Sequence, residues 1–182
     1  MQDFEILEEM MNKQALMPLQ KEYGRSIVIL DEPQTTNSAV TIRNLPDETL
    51  VIKVDMFNAP DQIFNGRKGE CKRADYVIIS PAHKCIVYIE LKRTRDAWNE
   101  IVKQLKGAQC LVSYCKNIGQ TFWNSREFMR NYKQRFISIG HIGIPKRKTR
   151  MEKPTQSAHD KPEKAMKIDW PNYVEFNKLA GN

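Results

Sequence analysis

The stretch that decides the reading is Asp75–Lys92, DYVIISPAHKCIVYIELK. Tyr76–Ile79 and Cys85–Leu91 are rich in β-branched and aromatic residues, the composition of strands. Between them Ser80, Pro81, Ala82, His83 and Lys84 carry the turn, because proline fixes φ and cannot continue a ladder. If Ser80 pairs with Cys85, each step away from the turn adds one residue per strand, and Asp75 lands opposite Glu90. Opposed residues of an antiparallel pair share a face, with Cβ atoms roughly 4.5–5.5 Å apart. Lys92 shares that face at two residues beyond Glu90, while Ile89 and Leu91 point the other way. A slip of one residue would separate the carboxylates, since every side chain changes face.

Two adjacent carboxylates repel unless a cation sits between them. Mg²⁺ suits such a pair, being held by one or two carboxylates plus waters and substrate phosphate. A neighbouring lysine can orient or help deprotonate a water and neutralise charge developing on a phosphate. The chemistry so assembled is phosphodiester hydrolysis.

Asp75, a hairpin-sized gap and Glu90-Leu91-Lys92 resemble the signature of the PD-(D/E)xK nuclease superfamily, with Ala74 where the motif name has proline. The resemblance implies a restriction-endonuclease-like αβββαβ core, a mixed α/β fold whose central sheet is flanked by helices. It implies metal ligation by Asp75, Glu90 and the Leu91 carbonyl, with Lys92 as the catalytic cation. It implies Mg²⁺ as cofactor, replaceable by Mn²⁺, and DNA as substrate. A homodimer is the expected form for cutting both strands. A second triplet, Glu70-Cys71-Lys72, lacks apolar flanks and follows a Gly-Arg-Lys-Gly loop, so it is set aside.

The rest of the chain is read outward from this hairpin. Asp3 is expected to cap a helix reaching about Met17, with Phe4, Ile6, Leu7 and Met10 mostly on one side and Pro18 stopping it. Glu8 or Glu9 on it could add an acid to the site, as could Asp55 at the end of a strand over Thr49–Met56; acids on a solvated helix face are the alternative. Ser26–Leu30 and Val40–Ile42 are further strand candidates. The polar segment 58–73 offers Arg67, Lys68 and Arg73 to phosphates, or is a solvated loop. Thr94 and Asp96 begin a helix reaching about Cys115, with Trp98, Ile101, Val102, Leu105, Ala108 and Val112 at helical spacing. The exonuclease branch carries a helical Gln-x-x-x-Tyr motif; Gln109 to Tyr114 is one residue too long, leaving Gln104 as an auxiliary candidate. Phe122–Lys133 reads as another helix, and Phe136–Ile144 as a strand containing a core His141. Residues 1–145 are expected to form the nuclease domain. Residues 146–182 form a basic, partly flexible extension whose apolar segment near 168–179 docks back.

The formal net charge of +7 favours polyanionic partners. No apolar run approaches the ~20 residues of a membrane span, and the acidic N-terminus is no signal peptide. An intracellular location is expected, cytoplasmic or nuclear. The four cysteines show no CxxC spacing, which argues against a zinc ribbon or a secreted disulfide framework. Two rivals remain: a catalytically inactive nucleic-acid-binding module of the same fold within a larger assembly, and an interaction protein whose basicity is incidental.

Overall fold

The computed structural model describes residues 2–31, 39–56, 58–92, 97–140 and 159–181. In chain order the helices and strands are α1 (Asp3–Met10), β1 (Leu16–Met17), β2 (Gln20–Glu22), β3 (Arg25–Asp31), β4 (Ala39–Leu45) and β5 (Leu50–Lys53). There follow β6 (Tyr76–Ser80), β7 (Cys85–Lys92), α2 (Trp98–Phe122), β8 (Lys133–Gly140), β9 (Met166–Asp169), β10 (Tyr173–Glu175) and α3 (Phe176–Ala180). Short 3₁₀ turns occupy Lys13–Ala15, Val54–Met56 and Pro162–Lys164.

The β6–β7 hairpin has the register its turn residues predict, with Ser80 opposite Cys85 and Tyr76 opposite Ile89. Around it a six-stranded sheet is ordered β1-β5-β6-β7-β8-β9. Pairing is antiparallel from β1 to β7 and parallel across β7–β8 and β8–β9. A second, four-stranded sheet is ordered β10-β4-β3-β2.

The alternation of side chains along β5–β8 sends one row to each side of the six-stranded sheet. Leu50, Ile52, Val77, Ile79, Ile86, Tyr88 and Phe136 pack with Ile6 and Leu7 of α1 and with Leu105, Ala108 and Val112 of α2. Val51, Tyr76, Ile78, Val87, Ile89, Ile137 and Ile139 pack with Val28, Leu30, Val40 and Ile42 of the second sheet and with Phe176 and Leu179 of α3. All of β6 and all of β7 except Lys92 are buried. Covered on both faces, these strands are near-continuous apolar runs, and each fully buried large side chain contributes about 1.5–3 kcal/mol.

The fold is therefore mixed α/β, but helices cover only part of what they were expected to cover. The face of the central sheet away from α1 and α2 is closed by another sheet with α3 rather than by helices alone. The segment near 168–179 does more than dock: Ile168 pairs in the central sheet opposite Ile139, and Val174 lies parallel to β4 opposite Ile42.

Other boundaries shift for identifiable reasons. α1 ends at Met10, because Asn12 caps the 3₁₀ turn through Gln14 N–H (2.9 Å) and Leu16–Met17 pair with Ile52 and Val51. Its N-cap is Gln2, whose N–H is accepted by Glu5 at 2.9 Å; the Asp3 carboxylate instead accepts from Met129 N–H (3.2 Å) and Tyr132 Oη–H (2.8 Å). α2 continues past Cys115 to Phe122, and no helix follows over 122–133. Asn124, Met129 and Asn131 have φ of 52°, 51° and 60°, left-handed values that end a right-handed helix. Phe128 is buried there because Gly119 of α2 leaves room for its ring; a Cβ on Gly119 would lie 2.3 Å from it. The next strand begins at Lys133, and the expected continuation through His141 to Ile144 lies outside the described residues, as do Thr94, Asp96 and most of the basic segment after Lys146. Among the described residues no helix is long and apolar enough to cross a membrane.

Candidate active site at the end of the central hairpin

Asp75 immediately precedes β6, one step beyond the Tyr76–Ile89 pair, which sets it against Glu90. Its main chain is held by Val54, whose N–H donates to the Asp75 carbonyl at 2.8 Å. Its side chain is held by β7, where Leu91 N–H donates to Oδ2 at 2.7 Å. α2 supports the approach to this residue. Gly107 packs on the carbonyl of Lys72, and a Cβ there would come within 1.6 Å of that oxygen. Only glycine allows the helix to lie so close to the chain leading into Asp75.

Glu90 continues the row of Ile86 and Tyr88 that faces α2, and it is 0% exposed. Lys92 Nζ lies 2.8 Å from Glu90 Oε1 as an ion pair, a charge-assisted contact that is the side-chain partner of this carboxylate among the described residues. Burial raises the Glu90 carboxyl well above its usual range, and the charge of Asp75 raises it further, while Lys92 opposes both. A buried carboxylate is costly unless a cation shares it. Lys92, 21% exposed, leads outward from it.

The parallel register adds residues that sequence reasoning missed. Ser138 of β8 is buried opposite Glu90, and Lys167 of β9 is opposite Ser138. The Lys167 ammonium stands 3.8 Å above the Trp98 ring at the start of α2. The alternation Phe136, Ser138, Gly140 was visible in the sequence, but nothing in it announced which strand would lie beside β7.

The remaining sequence candidates fall at several places. Gln104 is half-buried on α2 between Ile101 and Leu105, which face the sheet. Arg67 and Lys68 are exposed on the segment before β6; Arg73 is partly buried, with Nε unpartnered among the described residues. Asp55 is exposed in the 3₁₀ turn after β5, next to the Val54 that binds Asp75. Glu8 lines a cavity with Thr49, Leu50 and Val51. Glu9 accepts the Trp123 indole N–H at 3.0 Å just past the C-terminal end of α2, whereas Asp75 lies near its N-terminal half. With 25 residues, α2 spans about 37 Å. On the opposite face of β6, the Tyr76 hydroxyl donates to the Asp31 carbonyl at 2.6 Å, and Lys53 Nζ lies 3.6 Å from the Asp31 carboxylate.

Among the described residues no group of three or more histidine, cysteine, aspartate or glutamate side chains could hold a metal ion. The donor set is two carboxylates, hard oxygen ligands of which one is fully buried and faces Lys92. That set fits Mg²⁺ or Mn²⁺, which complete their octahedra with water and substrate oxygens, and does not fit a closed zinc site. No protein-family model, no curated protein and no solved structure matches the chain.

Proposed function

We propose that this chain is a Mg²⁺-dependent nuclease that hydrolyses phosphodiester bonds of DNA in the manner of the PD-(D/E)xK superfamily. One observation carries the reading: a fully buried Glu90 carboxylate beside Asp75, with the Lys92 ammonium 2.8 Å from its Oε1 as counter-charge. Burial of this kind is unfavourable for folding alone and is characteristic of sites that recruit a cation. With the two-residue β1 and the added β9 of the same sheet set aside, the order α1, β5, β6, β7, α2, β8 supports it, since that is the αβββαβ order of the superfamily.

Asp75 and Glu90 would hold the metal, with the Leu91 carbonyl as a further ligand. Bound Mg²⁺ lowers the pKa of a coordinated water and neutralises charge on the scissile phosphate. Lys92 then has two tasks: its ammonium orients the attacking water and stabilises the negative charge that builds up on the phosphorane oxygens. Leu91 N–H fixes Asp75 through Oδ2 at the end of the hairpin. Gln104 would act as an auxiliary donor from α2. Arg67, Lys68 and Arg73 would contact phosphates without reading sequence. An intracellular homodimer is the form this reading favours for double-strand cutting.

The Lys92–Glu90 ion pair favours one competing reading, in which lysine has replaced the metal as counter-ion and the chain binds nucleic acid without cutting. Supercoiled plasmid incubated with the protein and Mg²⁺ or Mn²⁺ separates the two. The nuclease reading expects nicking or linearisation that stops with EDTA and falls at least 10²-fold in Glu90→Gln and Lys92→Ala, with DNA binding retained. Binding without metal-dependent cleavage by the wild type identifies the inactive module.

A further inference from the structure

The segment that delivers the chain to Asp75 carries two exposed apolar side chains on a run of hydrogen-bonded turns. Ile63 is 79% exposed and Phe64 is 50% exposed, two large apolar side chains side by side. The frame that presents them is built from hydrogen bonds and close packing. Ile63 N–H and Phe64 N–H both donate to the Pro60 carbonyl at 3.1 and 2.9 Å, and Cys71 Sγ–H donates to the Phe64 carbonyl at 3.5 Å. Two further turns follow, Gly69 N–H to Gly66 O at 3.1 Å and Lys72 N–H to Gly69 O at 3.0 Å. Gly66 and Gly69 have φ of 73° and 93°, which favours glycine at both. The last of these turns is seated on α2, where Gly69 touches the Lys103 stem and Gly107 the Lys72 carbonyl.

A tip braced in this way holds its apolar side chains out rather than folding them in. The exposed charges near it are mixed: Asp61 precedes the tip, and Arg67, Lys68 and Glu70 follow it. Glu70 turns its carboxylate onto the Lys68 backbone N–H at 2.7 Å, and backbone donors lower its pKa. Arg67 and Lys68 themselves are exposed, and neither side chain forms an ion pair among the described residues. The combination is two apolar side chains for insertion, with Asp61 before them and the cations Arg67 and Lys68 after them for phosphates, in the segment that continues into Asp75. Apolar residues inserted between base steps are a recurrent means of unstacking and kinking a duplex.

We infer that Ile63 and Phe64 form a wedge that enters the base stack of duplex DNA next to the bond presented to Asp75 and Glu90, with Arg67 and Lys68 on the flanking phosphates. The inference rests on the nuclease reading for its substrate, but wedge and hydrolysis are separable. Unstacking at the wedge opens the backbone and lets a phosphate approach a carboxylate that is buried at the sheet end.

Titration of duplexes carrying a single 2-aminopurine, in EDTA so that no cleavage occurs, tests the wedge in the full chain. With the label scanned along the duplex, the wild type should raise 2-aminopurine fluorescence several-fold at one or two positions. The double variant Ile63→Ala/Phe64→Ala should lose that signal and bind about 10- to 100-fold more weakly, with the salt dependence of affinity unchanged. Arg67→Ala/Lys68→Ala should keep the fluorescence rise at saturation while the slope of log affinity against log salt falls by about 2. Both pairs are exposed, so unchanged melting temperatures show that the variants fold. Wild-type binding with no fluorescence rise at any position, or equal affinity and signal in the apolar double variant, overturns the wedge. Binding to anionic vesicles or to a protein in preference to duplex overturns it too. Plasmid cleavage with Mg²⁺ keeps the two readings apart: cleavage without unstacking leaves hydrolysis and removes the wedge, and unstacking without cleavage does the reverse.

Discussion

Replacing Lys92 by methionine tests the electrostatics of the site without any assay of activity. The wild-type ammonium lies 2.8 Å from a Glu90 carboxylate that is 0% exposed. At an effective dielectric of 20 that pair is worth about 6 kcal/mol before desolvation. Removing one partner of a buried pair costs about 3–5 kcal/mol, because the other charge stays buried. For a chain of 182 residues this corresponds to a fall in melting temperature of about 6–20 °C at pH 8. The pH dependence follows from the raised Glu90 pKa. Below the unfolded-state value, about 4.3, the carboxyl is neutral in both states and the missing ammonium matters little. As pH rises the unfolded chain ionises first, so stability falls until pH passes the folded-state pKa. Both proteins lose stability over this window, and the variant loses more because nothing opposes burial and Asp75. Differential scanning calorimetry in EDTA between pH 4 and pH 8 should therefore show the gap widening with pH. Glu90→Gln/Lys92→Met should recover most of the loss at pH 8, since a neutral amide replaces the stranded charge. A gap of equal size at both ends of the range, or no recovery in the double variant, refutes the argument and assigns the loss to packing.

Two further substitutions probe the scaffold. Gly107→Ala adds a Cβ that would meet the Lys72 carbonyl at 1.6 Å, so helix and lead-in chain must separate; a loss of about 1–3 kcal/mol in urea unfolding is expected, with weaker divalent-ion binding by isothermal titration because Asp75 moves. Phe128→Ala empties the space beside Gly119 and should cost about 3–5 kcal/mol by the same unfolding measurement, an effect too large for a solvated helical residue and specific to the buried turn.

The hairpin was legible because its information is local. Strand-forming residues, a proline turn and the two-residue alternation suffice to place Asp75 opposite Glu90, and the observed Ser80–Cys85 pairing is the one they dictate. The helix expected over Phe122–Lys133 shows how local information misleads. Phe128, Met129 and Tyr132 mimic a helical stripe, yet their burial comes from a left-handed turn folded onto Gly119, a contact no window around them contains. The second sheet was hidden for the same reason: β10 lies beside β4, with Tyr173 against Thr41, and residues so distant in sequence leave no short-range signal of their pairing.

By itself, then, the sequence determined the central hairpin, the face shared by its two acids and its lysine, and the amphipathic helix that covers them. Tertiary structure alone decided how deeply Glu90 is buried. That depth depends on β8 pairing in parallel along the other side of β7, which brings Ser138 against Glu90, and on α2 closing over the face. A carboxylate's place in a pattern is a matter of spacing, but its free energy depends on how much water and which charges remain around it, and those are supplied by strands far away in the chain.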